Sequence, residues 1–167
     1  MTLRIERLAA HHQREGFDCG EFALNEFLQR QAGQLARRSV AKTYVALSDD
    51  GVTVLGFVSV SAGQAETKQL PAHLKLPRYP APLLRIGRLG VDLRQQGRGI
   101  GQQLVSFALQ LALDFSQHVG LYAVVVDAKH DKARAFYAAL GFLATLDDPL
   151  CLYLPISTLQ ITAGAPH

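Results

Sequence analysis

The chain has 167 residues, 49% of them hydrophobic, with a formal net charge of +3. This is enough apolar material for a single domain, residues 1–160, that buries a core without disulfides or metals. Cys19 and Cys151 lie far apart without ligand spacing, no apolar run reaches the roughly eighteen residues of a membrane span, and the charged N-terminus lacks a signal-peptide pattern, so we expect a cytoplasmic protein and no membrane association.

The first elements predicted along the chain are a strand and a helix. Residues 3–8 alternate weakly between apolar and polar side chains, which indicates a strand. Asp18 is placed to cap a helix over residues 21–38. The apolar side chains that recur there at helical spacing are Leu24, Phe27, Leu28 and Leu35.

The next segment predicts a hairpin and then a long loop. Residues 43–47 and 52–61 are strand-like, and the Asp-Asp-Gly turn between them indicates an antiparallel pair. From residue 63 to residue 82 the chain carries four prolines, which favour irregular structure. Loops of this length in compact domains are often functional, so we expect this one to contribute to the substrate side.

The middle of the chain predicts a strand, a helix and a second strand. Residues 83–91 are strand-like, residues 102–118 are helical in pattern, and Gly120 is a candidate helix stop. The apolar stripe of the helix comprises Leu104, Ala108, Leu111, Ala112 and Phe115. Residues 123–126 form a continuous apolar run, typical of a strand covered on both faces.

The last segment predicts a short helix and a final strand. His130 or Asp131 can cap the helix, and Gly141 can end it. Its shared face comprises Ala133, Phe136, Tyr137 and Leu140. Residues 150–154 form a strand, and residues 161–167 are expected to fray. The alternation of strands and helices predicts a mixed α/β sheet, partly antiparallel and flanked by helices.

A glycine-rich turn follows the strand at 83–91, and it predicts an anion site. Its residues are Gln96, Gly97, Arg98, Gly99, Ile100 and Gly101. Glycines at alternate positions allow close backbone approach, and the following helix adds the partial positive charge of its N-terminus. The spacing differs from a dinucleotide fingerprint, and no Lys-Ser or Lys-Thr follows, as a P-loop requires. A phosphate or pyrophosphate is therefore the expected guest.

Two motifs together resemble the acetyl-CoA signature of the GNAT superfamily of N-acetyltransferases. They are the Gln-x-x-Gly-x-Gly turn and the later Phe136-Tyr137-x-x-x-Gly-Phe sequence. The resemblance implies a GNAT fold and acetyl-CoA as the acetyl donor. It also implies that the turn binds the pyrophosphate and that Phe136 belongs to the cofactor site. Many members carry Asn at the position of His130, so the hydrogen bond that this Asn gives the cofactor arm is not assured here.

The same resemblance assigns roles in the transfer reaction, in which an amine attacks the thioester directly. The backbone of Leu89, Gly90 and Val91 would follow the pantetheine arm, with the amide of Leu89 or Gly90 stabilising the oxyanion. Tyr137 corresponds to the family tyrosine that protonates the leaving sulfur. The general base stays open among Glu66, Asp92, His130, a water chain and an already neutral amine. No metal is expected.

A second resemblance is to the GNAT toxins of bacterial toxin-antitoxin modules. It is carried by Phe17-Asp18-Cys19-Gly20, by Ala-Leu-Asn-Glu-Phe-Leu at 23–28, and by further matches at 76–80, 87–89 and 124–129. The resemblance implies acetylation of the α-amino group of aminoacyl-tRNA, which blocks translation. It also implies a ribbon-helix-helix antitoxin as partner, and a homodimer.

The charge distribution is compatible with charged tRNA. Residues 65–104 carry seven basic and two acidic side chains, a local excess of +5. The side chains that could meet RNA phosphates are Arg37, Arg38, Lys42, Arg78 and Arg85. Two other functional hypotheses stay open. One is a GNAT enzyme acting on a small-molecule or protein amine, and the other is a sensor that binds acetyl-CoA without turnover.

Overall fold

The computed structural model describes residues 3–65 and 80–162 of the chain. The strands are β1 (Arg4–Arg7), β2 (Lys42–Leu47), β3 (Val54–Ala65), β4 (Ala81–Val91), β5 (Ala123–Asp127), β6 (Leu143–Ala144) and β7 (Cys151–Pro155). The α-helices are α1 (Phe22–Glu26), α2 (Ala32–Arg37), α3 (Ile100–Ser116), α4 (Asp131–Ala139) and α5 (Ile156–Thr162). No helix in the described ranges is long and apolar enough to cross a membrane.

The strands form one mixed sheet in the order β1-β2-β3-β4-β5-β7-β6. β4 runs parallel to β5, whereas β1–β2, β2–β3, β5–β7 and β6–β7 are antiparallel pairs. This confirms the predicted mixed α/β sheet. The chain divides into two compact units, one of residues 1–61 and 87–108 and the other of residues 62–86 and 109–167. β4 and α3 each contribute to both units.

The core of the first unit is aromatic. Phe57 lies on β3 and is fully buried. Its ring stacks on that of Phe27, with the centroids 6.0 Å apart, and meets the ring of Phe17 edge-on at 5.6 Å. Leu24 and Leu28 complete the same cluster, which confirms the predicted apolar face. This cluster packs beneath the end of β4 that leads to the glycine turn, because Phe57 also lies against Gly90.

The predicted hairpin is confirmed, and its turn is held by one carboxylate. Asp50 accepts hydrogen bonds from the backbone N–H groups of Val52 and Thr53 and from the hydroxyls of Ser48 and Thr53. These bonds favour the charged form and lower the pKa of Asp50. Gly51 has a φ of +75°, which a glycine adopts without strain.

The predicted helix at 21–38 is present but differs in two respects. A π-helical turn, Phe27–Gln31, separates α1 from α2, and the spacing of the apolar residues gave no sign of it. Asp18 does not cap the helix, because Glu21 occupies the N-cap position. The Asp18 carboxylate instead accepts from the backbone N–H of Gly20 and from the side-chain amide of Asn25.

The loop predicted at 63–82 is wrong at both ends. β3 continues to Ala65, and β4 already begins at Ala81. Proline is tolerated near the start of a strand because it lacks only a donor, and the Pro82 carbonyl accepts a hydrogen bond from the Tyr122 N–H. The rest of that loop, residues 66–79, lies outside the described residues, and so do Glu66 and Arg78.

In the remaining elements the types are confirmed and several boundaries are corrected. β5 is buried on both faces, as its apolar run indicates. α3 begins at Ile100, two residues before the predicted start, and ends at Ser116 rather than near Gly120. Phe115, assigned to the buried stripe, is 44% exposed because it lies in the last turn of the helix.

The strand β6 and the helix α5, which both follow α4, were not predicted. β6 has only two residues, too short for an alternating pattern to be recognised. α5 runs to Thr162, so the first two residues of the tail that we expect to fray are helical, and residues 163–167 lie outside the described ranges. α4 itself ends as predicted, with Gly141 at a φ of +101°.

Candidate functional site

The glycine turn has the backbone conformation that its sequence predicts. Between β4 and α3 the chain makes one 3-10 turn, Leu93–Gln95, and then passes through Gly97 at φ +83° and Gly99 at φ +81°. A Cβ atom at Gly97 would meet nothing within 4 Å, and one at Gly99 only the end of the Gln102 side chain at 3.9 Å. Packing within the protein therefore does not require glycine at these two positions. The positive φ does favour glycine, and the absence of a side chain leaves open space for a ligand.

The N-terminus of α3 and the glycine turn, residues 96–101, together form a candidate anion-binding cradle. The Gln103 N–H donates to the Gly99 carbonyl at 3.1 Å, so the amides that precede it have no acceptor within the helix. These amides and the helix dipole favour an anion at this point. The structure corrects one boundary, because Gly101 lies inside the first turn of α3 rather than in the loop. The backbone here fits a phosphate or pyrophosphate group.

A buried carboxylate fixes the start of this turn. Asp92 is 2% exposed and accepts hydrogen bonds from the backbone N–H of Asp18 and Arg94 and from Nε and Nη2 of Arg94. The bonds from Arg94 hold the pKa of Asp92 down at about 2, although burial opposes them. As a general base Asp92 is therefore poor, since its oxygens are occupied and its proton affinity is low. Both features argue against Asp92 among the candidate bases.

The other side chains of the turn bind the protein itself. The Gln96 amide donates to the Val91 carbonyl at 3.0 Å and to the Cys19 carbonyl at 3.4 Å, so it ties the turn to β4 and to the N-terminal segment. The exposed Arg98 donates from Nη1 to the side chain of Gln95 at 3.2 Å. Gln96 is thus occupied within the protein, whereas the exposed Arg98 has a single bond to a neighbouring side chain.

The strand before the turn extends past its parallel ladder. The register pairs of β4 and β5 run from Leu83 to Ile86 on β4, and the strand then continues to Val91. Gly90 is a glycine for packing reasons, because a Cβ there would lie 2.9 Å from Cε1 of Phe57 and 3.4 Å from Sγ of Cys19. The aromatic core thus fixes the backbone at the position where the family resemblance puts the oxyanion-stabilising amide.

In the second unit, His130 begins α4. It is the N-cap residue, and its Nδ1 accepts the N–H of Ala133 at 3.2 Å. The ring nitrogen that accepts carries no proton, so in the neutral ring the proton is on Nε2. The structure therefore gives His130 a structural role at the helix end, which confirms the predicted cap.

Tyr137, the candidate proton donor, lies on the buried face of α4. It is 7% exposed, and its ring meets those of Phe136 and Phe142 edge-on, at centroid distances of 5.1 and 5.6 Å. Burial raises the pKa of the Tyr137 hydroxyl well above its usual range. The hydroxyl is therefore protonated at every physiological pH, as an acid requires.

The candidate RNA-binding side chains fall into separate groups. Arg37 and Arg38 are exposed at the C-terminal end of α2, and Lys42 begins β2 close by, with its ammonium bound to the Ala36 carbonyl at 3.0 Å. Arg85 belongs to the other unit and is paired with the carboxylate of Asp127, so its charge is largely neutralised there. Arg78 lies outside the described residues.

Sequence reasoning missed one cluster with metal-binding potential. Ligand atoms of Glu6, His11 and His12 lie within 4.8 Å of one another. His12 is buried, with Nδ1 accepting the Ala9 N–H and Nε2 bonded to Glu6, so both ring nitrogens already have partners inside the protein. The spacing of His11 and His12 alone gives no signal, because Glu6 comes from a neighbouring strand. The expectation of no metal stays a prediction.

Comparison with known proteins identifies the chain's relatives. The model of the acetyltransferase (GNAT) family matches residues 5–142. A tRNA-acetylating toxin of Mycobacterium tuberculosis is 32% identical over 150 residues, which are 89% of this chain and 89% of that protein. Both matches extend well beyond the glycine turn and include most of the elements described above.

Solved structures agree with the present fold over nearly their whole length. A tyrosine-to-phenylalanine variant of KacT has a TM-score of 0.92 at 32% identity, with 97% of this chain and 99% of that one covered. AtaT complexed with acetyl-methionyl-tRNAfMet has a TM-score of 0.90 at 30% identity, with the same coverage. A variant AtaT toxin bound to the C-terminus of the antitoxin AtaR and acetyl-CoA has a TM-score of 0.85 at 28% identity, covering 96% and 98%.

The cradle generates a first prediction. Gly99→Val should weaken acetyl-CoA binding at least about tenfold, roughly 1.4 kcal/mol, because a branched side chain enters the open space and strains a backbone at positive φ. Calorimetry measures the affinity. Gly120→Val is the matched control, since nothing lies within 4 Å of a Cβ there and its φ is not positive. Unchanged affinity in the Gly99 variant would remove the cradle assignment.

The Asp92 network generates a second prediction, on stability. Asp92→Asn should lower the free energy of unfolding by on the order of 2 kcal/mol near neutral pH. Because the folded pKa lies below the unfolded one, this stabilisation is complete above the unfolded pKa and is lost as the pH falls. The difference in unfolding free energy between wild type and variant should therefore narrow from about pH 5 to about pH 2 in denaturant titrations. A difference in unfolding free energy that stays constant with pH would contradict this prediction. An equally large difference for the exposed control Asp49→Asn would also contradict it.

Proposed function

The chain belongs to the acetyltransferase (GNAT) family, and on that premise we propose that it is a toxin that acetylates the α-amino group of aminoacyl-tRNA. The observation that carries the proposal is the near-complete agreement with AtaT, solved with an acetylated methionyl-tRNA, together with the similarity to a tRNA-acetylating toxin. Such a product has no free amine to enter peptide-bond formation, so elongation from it stops.

Acetyl-CoA is the acetyl donor, and the first unit holds features suited to it. The amides of the glycine turn and of the first turn of α3 would bind its pyrophosphate. The backbone of Leu89–Val91 would bind the pantetheine arm as an added strand does. The AtaT structure that contains acetyl-CoA supports this choice of ligand. The bound thioester supplies an activated acyl group, and the residues of the chain orient it.

Two groups of the protein act on the reacting atoms in this proposal. The amide of Leu89 or Gly90 donates to the oxygen that becomes negative when the amine attacks the carbonyl. Phe57 and Cys19 fix that amide because they pack on Gly90. The Tyr137 hydroxyl then gives its proton to the thiolate of CoA; burial raises its pKa, so the hydroxyl is protonated when the sulfur leaves.

The amine itself needs little help from the enzyme. An α-amino group has a pKa of about 8, so a sizeable fraction is neutral and nucleophilic at physiological pH. Asp92 does not serve as base, and Nδ1 of His130 is committed to the helix cap. We therefore propose that the already neutral amine attacks and that its proton leaves through water, which is one of the routes the sequence left open.

Recognition of the tRNA would rest on backbone phosphates. Arg37 and Arg38 are exposed side by side at the end of α2, and Lys42 lies near them. Such a group binds phosphates without reading sequence, and its contribution falls as salt rises. Arg85 is a weaker candidate, because Asp127 already neutralises it. An enzyme with this substrate acts where translation takes place, which for a bacterial toxin is the cytoplasm.

The family also suggests how the protein assembles. We propose a homodimer and a ribbon-helix-helix antitoxin as its partners, the latter supported by the AtaT structure that contains AtaR. We further propose that residues 1–160 act as one domain, since β4 and α3 each run through both compact units.

The proposed acid generates a third prediction. Tyr137→Phe keeps the ring contacts with Phe136 and Phe142 and removes only the hydroxyl. Turnover should fall on the order of 10² to 10⁴, while acetyl-CoA affinity changes little. CoA release measures the first and calorimetry the second. Tyr153→Phe is a matched control, because that tyrosine is also buried but lies on β7. Wild-type turnover in the Tyr137 variant would mean that this residue contributes only to packing.

The substrate generates the fourth prediction. Purified protein with acetyl-CoA should acetylate the α-amine of charged tRNA and leave the free amino acid unmodified, because a lone amine offers little binding energy. Charge reversal at Arg37 and Arg38 together should increase the KM for charged tRNA and leave acetyl-CoA affinity nearly unchanged. Raised salt should also increase the KM for charged tRNA, while acetyl-CoA affinity, which depends on more local contacts, should fall less. Mass spectrometry of the released amino acids identifies the product.

Two outcomes would contradict this assignment. If a panel of charged tRNAs stays unmodified while a polyamine or a protein amine is acetylated, the acceptor is a small-molecule or protein amine. If acetyl-CoA binds but no amine releases CoA, the protein is a sensor.

A further inference from the structure

The guanidinium of Arg88 has an unusual setting among the arginines of the first unit. Its central carbon lies 4.2 Å from the centroid of the Phe27 ring. That ring is 1% exposed, and it also stacks on the ring of Phe57. A cation over an aromatic face is attracted by the ring quadrupole, and stacking fixes the plane of the guanidinium. Arg88 is therefore pre-oriented by a buried aromatic pair, although the residue itself is exposed.

The hydrogen-bonding edge of Arg88 is left for a partner from outside the chain. Among the described residues no carboxylate forms an ion pair with Arg88, whereas Arg94 is paired with Asp92 and Arg4 with Glu6. Arg88 is itself an exposed residue, so a ligand can reach it from solvent. A planar cation with its face covered and its N–H edge exposed suits bidentate binding of a phosphate.

The position of Arg88 along β4 places this edge near the chemistry. Side chains two residues apart lie on the same face of a strand and about 7 Å apart, so Arg88 shares a face with Gly90. Phe57 packs against Gly90 and Phe27 stacks on Phe57, so one aromatic cluster fixes both positions. When an amine attacks a thioester carbonyl whose oxygen is held by the Gly90 amide, the atoms several bonds away from that amine lie near Arg88.

We propose that Arg88 binds the phosphodiester of the terminal nucleotide of aminoacyl-tRNA, and so holds the charged end beside the transfer site. The inference rests on the proposed function. In a charged tRNA this phosphate is one ribose away from the ester that carries the amino acid, so it is the anion nearest to the reacting amine. Free amino acids and simple amines lack it, which makes Arg88 a specificity determinant as well as a binding residue.

The test combines a substitution with a shortened substrate. Arg88→Met keeps an apolar stem over Phe27 and removes the charge, and Arg88→Lys keeps the charge and removes the flat fork. Each variant is assayed with charged tRNA, with an aminoacylated terminal dinucleotide that retains the phosphate, and with an aminoacyl-adenosine that has none. Arg7→Met is the control for loss of one exposed positive charge on the distant strand β1.

The expected result is a loss that depends on the phosphate. Arg88→Met should lower kcat/KM for the dinucleotide and for charged tRNA by about tenfold or more, since a charged hydrogen bond is removed. With aminoacyl-adenosine its kcat/KM should stay within about twofold of wild type, because that substrate never used the contact. The kcat/KM of Arg88→Lys for the substrates that carry the phosphate should lie between the values for wild type and Arg88→Met. The Kd for acetyl-CoA should match that of wild type, and Arg88→Met should unfold cooperatively with only a small loss of thermal stability, because the cation–π contact with Phe27 is removed.

Other outcomes overturn the proposal and are distinguishable from failure of the proposed function. Equal losses on substrates with and without the phosphate would mean that Arg88 supports the fold or the transfer step. A weakened Kd for acetyl-CoA would assign the cation to a phosphate of the cofactor. A wild-type rate with all substrates would leave Arg88 without a role. If wild-type enzyme itself acetylates no charged substrate, the tRNA assignment falls, and the Arg88 proposal falls with it.

Discussion

The arrangement of the first unit depends on the hydrogen bonds of the Asp92 carboxylate. They hold the backbone at the junction of β4 and the glycine turn, and they bind it to the N-terminal segment through the Asp18 N–H. Arg94 both satisfies the charge and donates to the Gly16 carbonyl. Because a buried charge is tolerated only when paired and hydrogen-bonded, this network has little freedom to shift. The strand edge before it and the cradle after it therefore have a defined relation within this unit.

The aromatic cluster has the same effect on the other side of the strand. Phe57 leaves no space for a side chain at Gly90, and Phe27 orients the guanidinium of Arg88. Backbone that is packed in this way does not reorganise when charge develops, which is the condition for an amide to stabilise an oxyanion. The residues that carry no chemistry, Phe27 and Phe57, thus explain why those near the chemistry are positioned as they are.

Much of the fold could be predicted from local sequence, and the failures have a common cause. The hairpin, β5 and the end of α4 at Gly141 follow from turn residues and apolar runs, which act locally. The backbone conformation of the glycine turn was likewise predictable, because its residues are contiguous. The bond between Asp18 and Asp92 spans 74 positions and the pair of Arg85 with Asp127 spans 42, and no spacing rule reports such partners. The π-helical turn was missed because Leu24, Phe27 and Leu28 lie on one face with or without it. Asp18 was misassigned because Glu21 lies closer to the helix start.

The central claim is that an acetyl-CoA-dependent reaction on charged tRNA stops protein synthesis, and a reconstituted translation reaction tests it most directly. All components are purified, so acetyl-CoA is present only when added. The account predicts that the protein stops synthesis of a reporter when acetyl-CoA is added, has no effect without it, and that freshly charged tRNA restores synthesis once the protein is removed. Synthesis that continues with acetyl-CoA present, or that stops equally in its absence, would contradict the account.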